Sequence, residues 1–452
     1  MKKIIPHFIV IGLFALISLA FFYPVLQGKA ILQSDIVQYS GMAKERNDYR
    51  ETENKESYWT NSAFGGMPTY QLGAHYPYDL VKKLDQTLRF LPRPADYLFL
   101  YFIGFYILLL VLKVDMRTAV LGAIAFGLST YLIIILGVGH NAKAHAIAYF
   151  APALAGILLV FQRKYLWGGL LTAIALSLEI AANHFQMTYY LLILVLLLGI
   201  VYLYKAIKEK EIKDFCKSIG VLFLALVISV LCNATLLLTT KEYADWSTRS
   251  KSTLTIDTEG NVKKAAEGLS KNYITEYSYG IAESMNLIVP RLFGGSNHEA
   301  LGENSKTYEY LVQKGVPQQQ ALGFSNSLPT YWGDQPIVAA PAYIGIVIFF
   351  FFVLALFTVK GRLKVWLLAG TIIALVLSWG KNLSFVTDFM IDYVPMYNKF
   401  RAVSSIQVLL ELCVPALAML GLYHYTQSTE EVRKKSVLRT LYITLGIDRK
   451  ST

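Results

Sequence analysis

The sequence predicts an all-α polytopic membrane protein, and three observations carry that reading. Long apolar runs recur along the chain. Only 16% of its 452 residues are charged, against about a quarter in a soluble domain. Lys and Arg gather in short segments between alternate runs. A stretch of about 20 apolar residues crosses the hydrocarbon core of a bilayer. Read at that length, about ten spans fall at 4–26, 97–112, 118–138, 146–161, 166–182, 187–204, 218–238, 337–359, 365–379 and 406–423.

The first run follows Lys2-Lys3, and no small-x-small site after it is a convincing cleavage signal, so it reads as an uncleaved anchor. Basic residues then cluster at Lys113 and Arg117, at Arg163-Lys164, from Lys205 to Lys217, from Lys360 to Lys364, and from Arg433 to Arg439. All fall on one side if the N-terminus is inside, which places both termini in the cytoplasm. The net charge of +11 is then loop bias and contact with anionic lipid, not nucleic-acid binding.

The opposite, exoplasmic face carries the long loops 27–96 and 239–336, tight turns at 139–145 and 183–186, and a loop at 380–405. The chain thus reads as one membrane domain over 1–436, followed at 437–452 by an apolar stretch that begins a further span and stops short of it. In the first loop, Gly65-Gly66 and Met67-Pro68 mark turns, and Tyr78 to Leu91 alternates apolar and basic residues as a surface-lying amphipathic helix does. The stretch from Ser250 to Lys271 is polar and without periodicity, which predicts a mobile segment.

Asp35 leaves the first span within a few residues, in Ser34-Asp35-Ile36-Val37-Gln38-Tyr39. A carboxylate there meets a substrate whose tail is in lipid and whose head is in water. A solvated loop aspartate is the competing reading. Gly139-His140-Asn141-Ala142-Lys143-Ala144-His145 lies at another exoplasmic turn, where ionisable residues are costly and tend to serve a function. Its histidines are five apart, poor spacing for one helical face, so the cluster predicts hydrogen bonding and positive charge toward an anionic headgroup, with no metal pair. Glu179 and His184 end the fifth span, with Asn183 four residues after Glu179. Lys399 and Arg401 precede the tenth, where a lysine is a point charge for phosphate and an arginine a bidentate fork. The candidate binding set is therefore Tyr39, His140, Asn141, Lys143, His145, Glu179, His184, Lys399 and Arg401. Interfacial anchoring by snorkelling is the competing account of the cations. Cys216, Cys232 and Cys413 suggest neither a disulfide nor a metal site. There is no phosphate-binding loop, dinucleotide glycine fingerprint or Ser-His-Asp pattern, which argues against ATP-driven transport.

A first span followed at once by an exoplasmic aspartate resembles the GT-C superfamily of membrane glycosyltransferases. Ser34 to Tyr39, Gly65 to Tyr70, Gly139 to Lys143 and Asn398 to Arg401 resemble its bacterial YfhO-like branch across most of the chain. The resemblance implies a GT-C-like helical bundle in a bacterial cytoplasmic membrane. It also implies transfer of a sugar from a polyprenyl-phosphate carrier to an exoplasmic acceptor, whether glycan, lipid or protein. The aspartate matching Asp35 would be the general base of an inverting displacement, and Lys143, Lys399 or Arg401 would neutralise the departing phosphate. A divalent metal is optional in that superfamily. Two other classes compete: a flippase of lipid-linked sugars, and a non-catalytic envelope assembly protein that binds partners through its long loops.

Overall fold

A computed structural model of the chain describes residues 4–247, 249, 250, 256, 260 and 268–451. The fold is mostly helical, with one antiparallel ribbon, Trp59–Thr60 against Met67–Pro68. Each predicted apolar stretch contains a helix. Four of these, Asn141–Phe161, Phe185–Lys208, Ile212–Cys232 and Val403–Gln427, are long and apolar enough to cross a membrane. Two bent pairs raise the number to six: Met116–Gly127 with Thr130–Val138 at 45°, and Arg362–Ser378 with Gly380–Tyr393 at 105°. Ile5–Phe21, Ala95–Val111, Tyr165–Ala181 and Ile346–Thr358 are apolar but shorter. Caps and bends cut several of the predicted runs below the roughly 20 residues that a crossing needs.

The Val403–Gln427 helix forms the centre, with 94% of its apolar window buried, whereas Ile212–Cys232 lies at the rim with 17% buried. Aromatic stacking fills the core: the rings of Phe105 and Phe126 are 4.4 Å apart, and buried Trp366 donates to the Leu194 carbonyl at 3.0 Å. Small residues let the helices approach. A methyl group on Gly156 would sit 2.6 Å from the backbone nitrogen of Thr172, and one on Gly421 would sit 2.7 Å from the Cα of Ala355. Such contacts replace the hydrophobic driving force that helices lack among lipid tails.

The segment 27–96 is more ordered than a loop. Residues Ser34–Glu53 form a 20-residue helix closed by Asn54 in the left-handed region. The predicted amphipathic helix is present as Leu80–Leu88, capped by the Asp79 side chain accepting from the Lys82 amide at 2.8 Å. Leu80, Leu84 and Leu88 stay exposed along one stripe while Asp85 is buried on the other side. In 239–336, the Ala234–Asp245 helix is followed by short helices at Lys271–Thr275, Lys306–Gln313 and Gln318–Ser325. Most of the polar stretch from Ser250 to Lys271, read as mobile, lies outside the described residues, as do Lys2 and Lys3. Residues 437–451 continue the basic segment within one helix, Glu430–Ser451. Far from Asp35, at the other end of the Asn141–Phe161 helix and about 31 Å away at 1.5 Å per residue, Arg163 pairs with Glu211 and Asp214, each at 2.8 Å.

Candidate functional site

Asp35 sits in the first turn of the Ser34–Glu53 helix, not in a loop. Gln33, just before it, donates from its side chain to the Leu136 carbonyl at 2.5 Å. That bond ties the start of this helix to the end of Thr130–Val138. The latter ends at Gly139, whose φ of 90° lies in the left-handed region that favours glycine. A Cβ there would stand 2.8 Å from the Cβ of Gln33. Gly139 thus permits both the turn and the close approach, and the next residue lands on the carboxylate: His140 Nε2 is 3.3 Å from Asp35 Oδ2. Both side chains are 49% exposed, so the pair is open to an incoming molecule.

Lys143 and Arg401 act electrostatically on His140. Lys143, one turn into the Asn141–Phe161 helix, donates to Ser405 Oγ at 3.1 Å and lies 5.2 Å from the Tyr131 ring centre. Arg401 donates to the Tyr273 hydroxyl at 2.8 Å, and its carbonyl accepts from Gln186 at 2.6 Å. Ala402 follows in the left-handed region, at φ 58°, a strained conformation for a residue with a Cβ. Arg249 reaches in from the long segment and donates to the Lys399 carbonyl. The charges feel one another: His140 responds to Lys143, Asp35 and Arg401, and His184 to Lys143, His140 and Arg249. Among the described residues no ion pair neutralises Lys143, Arg249 or Arg401.

Burial, reinforced by Lys143 and Arg401, lowers the His140 pKa against the pull of Asp35. Burial and Lys143 take His184 down to about 4. Both rings are therefore neutral hydrogen-bonding groups near pH 7. Orphaned polar atoms mark the same place: both side-chain atoms of Asn141, and Nδ1 of His184, are buried without a protein partner. Buried polar groups are normally satisfied, so these donors and acceptors await a ligand or water. Asn141 also opens a long helix, whose N-terminal amides favour an anion.

The other candidates go elsewhere. Tyr39 donates to the Leu72 carbonyl at 2.9 Å and braces the 69–72 turn. His145 faces away and bonds Asp85, which also accepts from Tyr149 at 2.8 Å and from Arg89 at 2.7 Å. This closed, buried network includes Asp96 and leaves His145 no reach toward Asp35. Glu179 is buried and accepts from Thr188 at 2.9 Å, with neither Lys143 nor a histidine as partner. The helix ends at Ala181, and Asn183 turns left-handed to bond Gln71 at 2.9 Å, so it does not share a helical face with Glu179. Lys399 contributes its carbonyl to Arg249. Arg249 itself escaped sequence reasoning, since it lies just before the polar stretch that begins at Ser250 and only the fold brings it to residue 399.

Among the described residues no group of three or more His, Cys, Asp or Glu could hold a metal ion. A cavity of about 490 Å³, lined by Lys271, Glu276, Asp334 and Lys381, shares no lining residue with the Asp35 group. What the Asp35 end can do chemically is bind an anion beside an accessible carboxylate, next to apolar helices. Neither protein-family profiles, curated proteins nor solved structures give a match to this chain.

Proposed function

We propose that the chain is a membrane glycosyltransferase of the GT-C type, similar to the YfhO-like branch. In this reading it has about ten spans and a cytoplasmic N-terminus in a bacterial cytoplasmic membrane. It transfers a sugar from a polyprenyl-phosphate donor to an exoplasmic acceptor. The observation that carries the reading is one half-exposed carboxylate beside His140, a residue on which Lys143 and Arg401 act, at the end of an apolar bundle. Asp35 takes the proton of the acceptor hydroxyl as its oxygen attacks the anomeric carbon. The bond from that carbon to the phosphate oxygen breaks on the opposite face, inverting configuration. The phosphate leaves with its charge met by Lys143 and Arg401. His140 holds the carboxylate in place. Asp35→Asn, purified in nanodiscs and assayed for sugar transfer, is expected to lose about a hundredfold or more in turnover, the usual contribution of a general base. Undiminished transfer by a folded variant removes Asp35 from the chemistry.

A flippase of lipid-linked sugars draws on the two broken helix pairs, a device common in transporters. Movement of labelled lipid across vesicles without a covalent product would favour it.

A further inference from the structure

The cavity of about 490 Å³ beside the Lys271–Thr275 helix takes no part in the transfer proposed for Asp35. Three segments wall it: that helix, the stretch around Asp334, and the turn Gly380–Leu383 with Ser384 after it. Buried Glu283 ties the middle stretch down. Its carboxylate accepts from the Gly280 amide at 2.9 Å, the Gln335 side chain at 3.3 Å, the Asp334 amide at 3.4 Å and the Tyr331 hydroxyl. The turn is held in the same way. The Lys381 amide donates to the Ser278 hydroxyl at 3.0 Å, and the Asn382 side chain donates to the Tyr279 carbonyl at 2.8 Å and to Asp334 Oδ2 at 3.2 Å. Glycines let these segments touch. A Cβ on Gly333 would stand 2.8 Å from the Glu283 carboxyl carbon, one on Gly280 would stand 2.8 Å from Asp334 Oδ2, and one on Gly380 would overlap the Ser278 hydroxyl. Walls fixed in this way keep a space open without a ligand, and a preformed cleft spares the ligand the cost of ordering it.

The side chains on those walls name the class of ligand. Lys271 and Lys381 donate, Glu276 and Asp334 accept, and Asn272 and Ser384 do both. Lys271 pairs with Asp388, one turn beyond Ser384, at 2.5 Å. Among the described residues, Lys381 and Glu276 make no ion pair and their side chains no hydrogen bond, although opposite charges line the same space. An anion there meets two carboxylates, a cation meets two ammonium groups, and an apolar ligand strips water from all four. A neutral saccharide meets none of these costs. Each of its hydroxyls both donates and accepts, so neighbouring hydroxyls bond to an ammonium and a carboxylate at once. The volume lies within the roughly 300–1,000 Å³ of ligand clefts.

We propose that this cleft binds a neutral saccharide, at a place separate from Asp35. The same short helix meets Arg401 through the Tyr273 hydroxyl at 2.8 Å, so a saccharide in the cleft touches the element that holds Arg401.

The test uses the full chain in nanodiscs and reads binding, not transfer, so a failure of the Asp35 chemistry is not mistaken for a failure here. Maltose, cellobiose and N,N′-diacetylchitobiose are each titrated and followed by saturation-transfer NMR, with empty discs as the blank. Saturable transfer from the protein to at least one of them is expected. Glucosamine and glucuronate, which carry one charge each, should bind more weakly. Glu276→Gln and Lys381→Gln are each expected to raise the half-saturating concentration about tenfold, the loss of one charge-assisted hydrogen bond. Both side chains are exposed, so both variants should fold. The proposal is overturned if none of the three disaccharides shows saturable transfer, or if either charged sugar binds more tightly. Disaccharide binding that both variants retain also overturns it, since the sugar would then sit elsewhere on the chain.

Discussion

Replacing Asp85 by Asn should destabilise the protein by about 3 kcal/mol. The carboxylate is almost fully buried. Its Oδ2 accepts from Nε and Nη2 of Arg89, at 2.9 and 2.7 Å, and its Oδ1 from the Tyr149 hydroxyl at 2.8 Å and from His145. An asparagine offers one acceptor oxygen and turns a donor group toward either the guanidinium or the Tyr149–His145 side, so at least one buried donor loses its partner. Each charge-assisted bond is worth about 1.5–3 kcal/mol, but bonds in one network do not add. Removing one partner of a buried ion pair typically costs 3–5 kcal/mol. Arg89 keeps a bond to Asp96 at 3.0 Å, which puts the expectation at the lower end. Burial raises the Asp85 pKa, but the hydrogen bond and charge of His145 and those of Arg89 outweigh it and hold the carboxyl below its usual range. The stabilisation is thus intact above about pH 4, the unfolded value, and fades as pH falls below it. The assay is denaturant or thermal unfolding in detergent at pH 7, run as a double-mutant cycle with Arg89→Gln. A loss under about 1 kcal/mol, or single-variant costs that simply add, would refute the network.

The remaining predictions concern the Asp35 end and the packing around it. His140 and His184 have folded pKa values below their unfolded ones. The unfolded chain therefore binds more protons between about pH 4 and 6.5, and stability should fall as pH drops through that window; titrated unfolding of His184→Gln should show a shallower decline. Gly139→Ala forces a left-handed backbone and a clash with Gln33, which should cost about 1–3 kcal/mol, read by thermal unfolding. Gly156→Val puts side-chain atoms against the backbone of Thr172, so unfolding should show a loss of about 1–3 kcal/mol from overpacking.

What the sequence made legible was what hydrophobicity alone controls. Each apolar run became a helix because length and composition suffice to specify one. The Ser34–Glu53 helix was read as loop for the opposite reason: its residues are largely polar, and its N-cap, Gln33, spends its side chain on Leu136 instead of capping. Its readable signals were the absence of proline over 20 residues and an asparagine at the end. The i, i+4 pair of Asp85 and Arg89 was also visible on the amphipathic stretch, but its partner 60 residues away was not. Of the candidate site, Asp35 meets His140 directly, while Lys143, Arg401 and His184 are linked to His140 through their charges alone. Glu179 and His145 were polar residues at span ends that the fold pairs with Thr188 and Asp85, and residue type cannot separate those two fates.

The spacing within Asn141–Phe161 explains how one helix serves both. Lys143 and His145 are two residues apart, which turns their side chains about 200° from each other at 100° per residue. Because they leave opposite faces, a bond fixing one fixes the rotation that aims the other. His145 is held in the Asp85 network, and Tyr149, one turn further on the same face, is held by the same carboxylate. Two anchors a turn apart on one face leave the helix little freedom to rotate about its axis. Lys143 is thereby set against Ser405 and Tyr131, with His140 one turn before it against Asp35. On this account the buried network is the reason an exposed carboxylate and an unpaired ammonium can be kept together without an ion pair between them. The Asp85→Asn variant should accordingly lose affinity for an anion at Lys143 as well as stability, whereas a variant that only weakened packing elsewhere would lose stability alone.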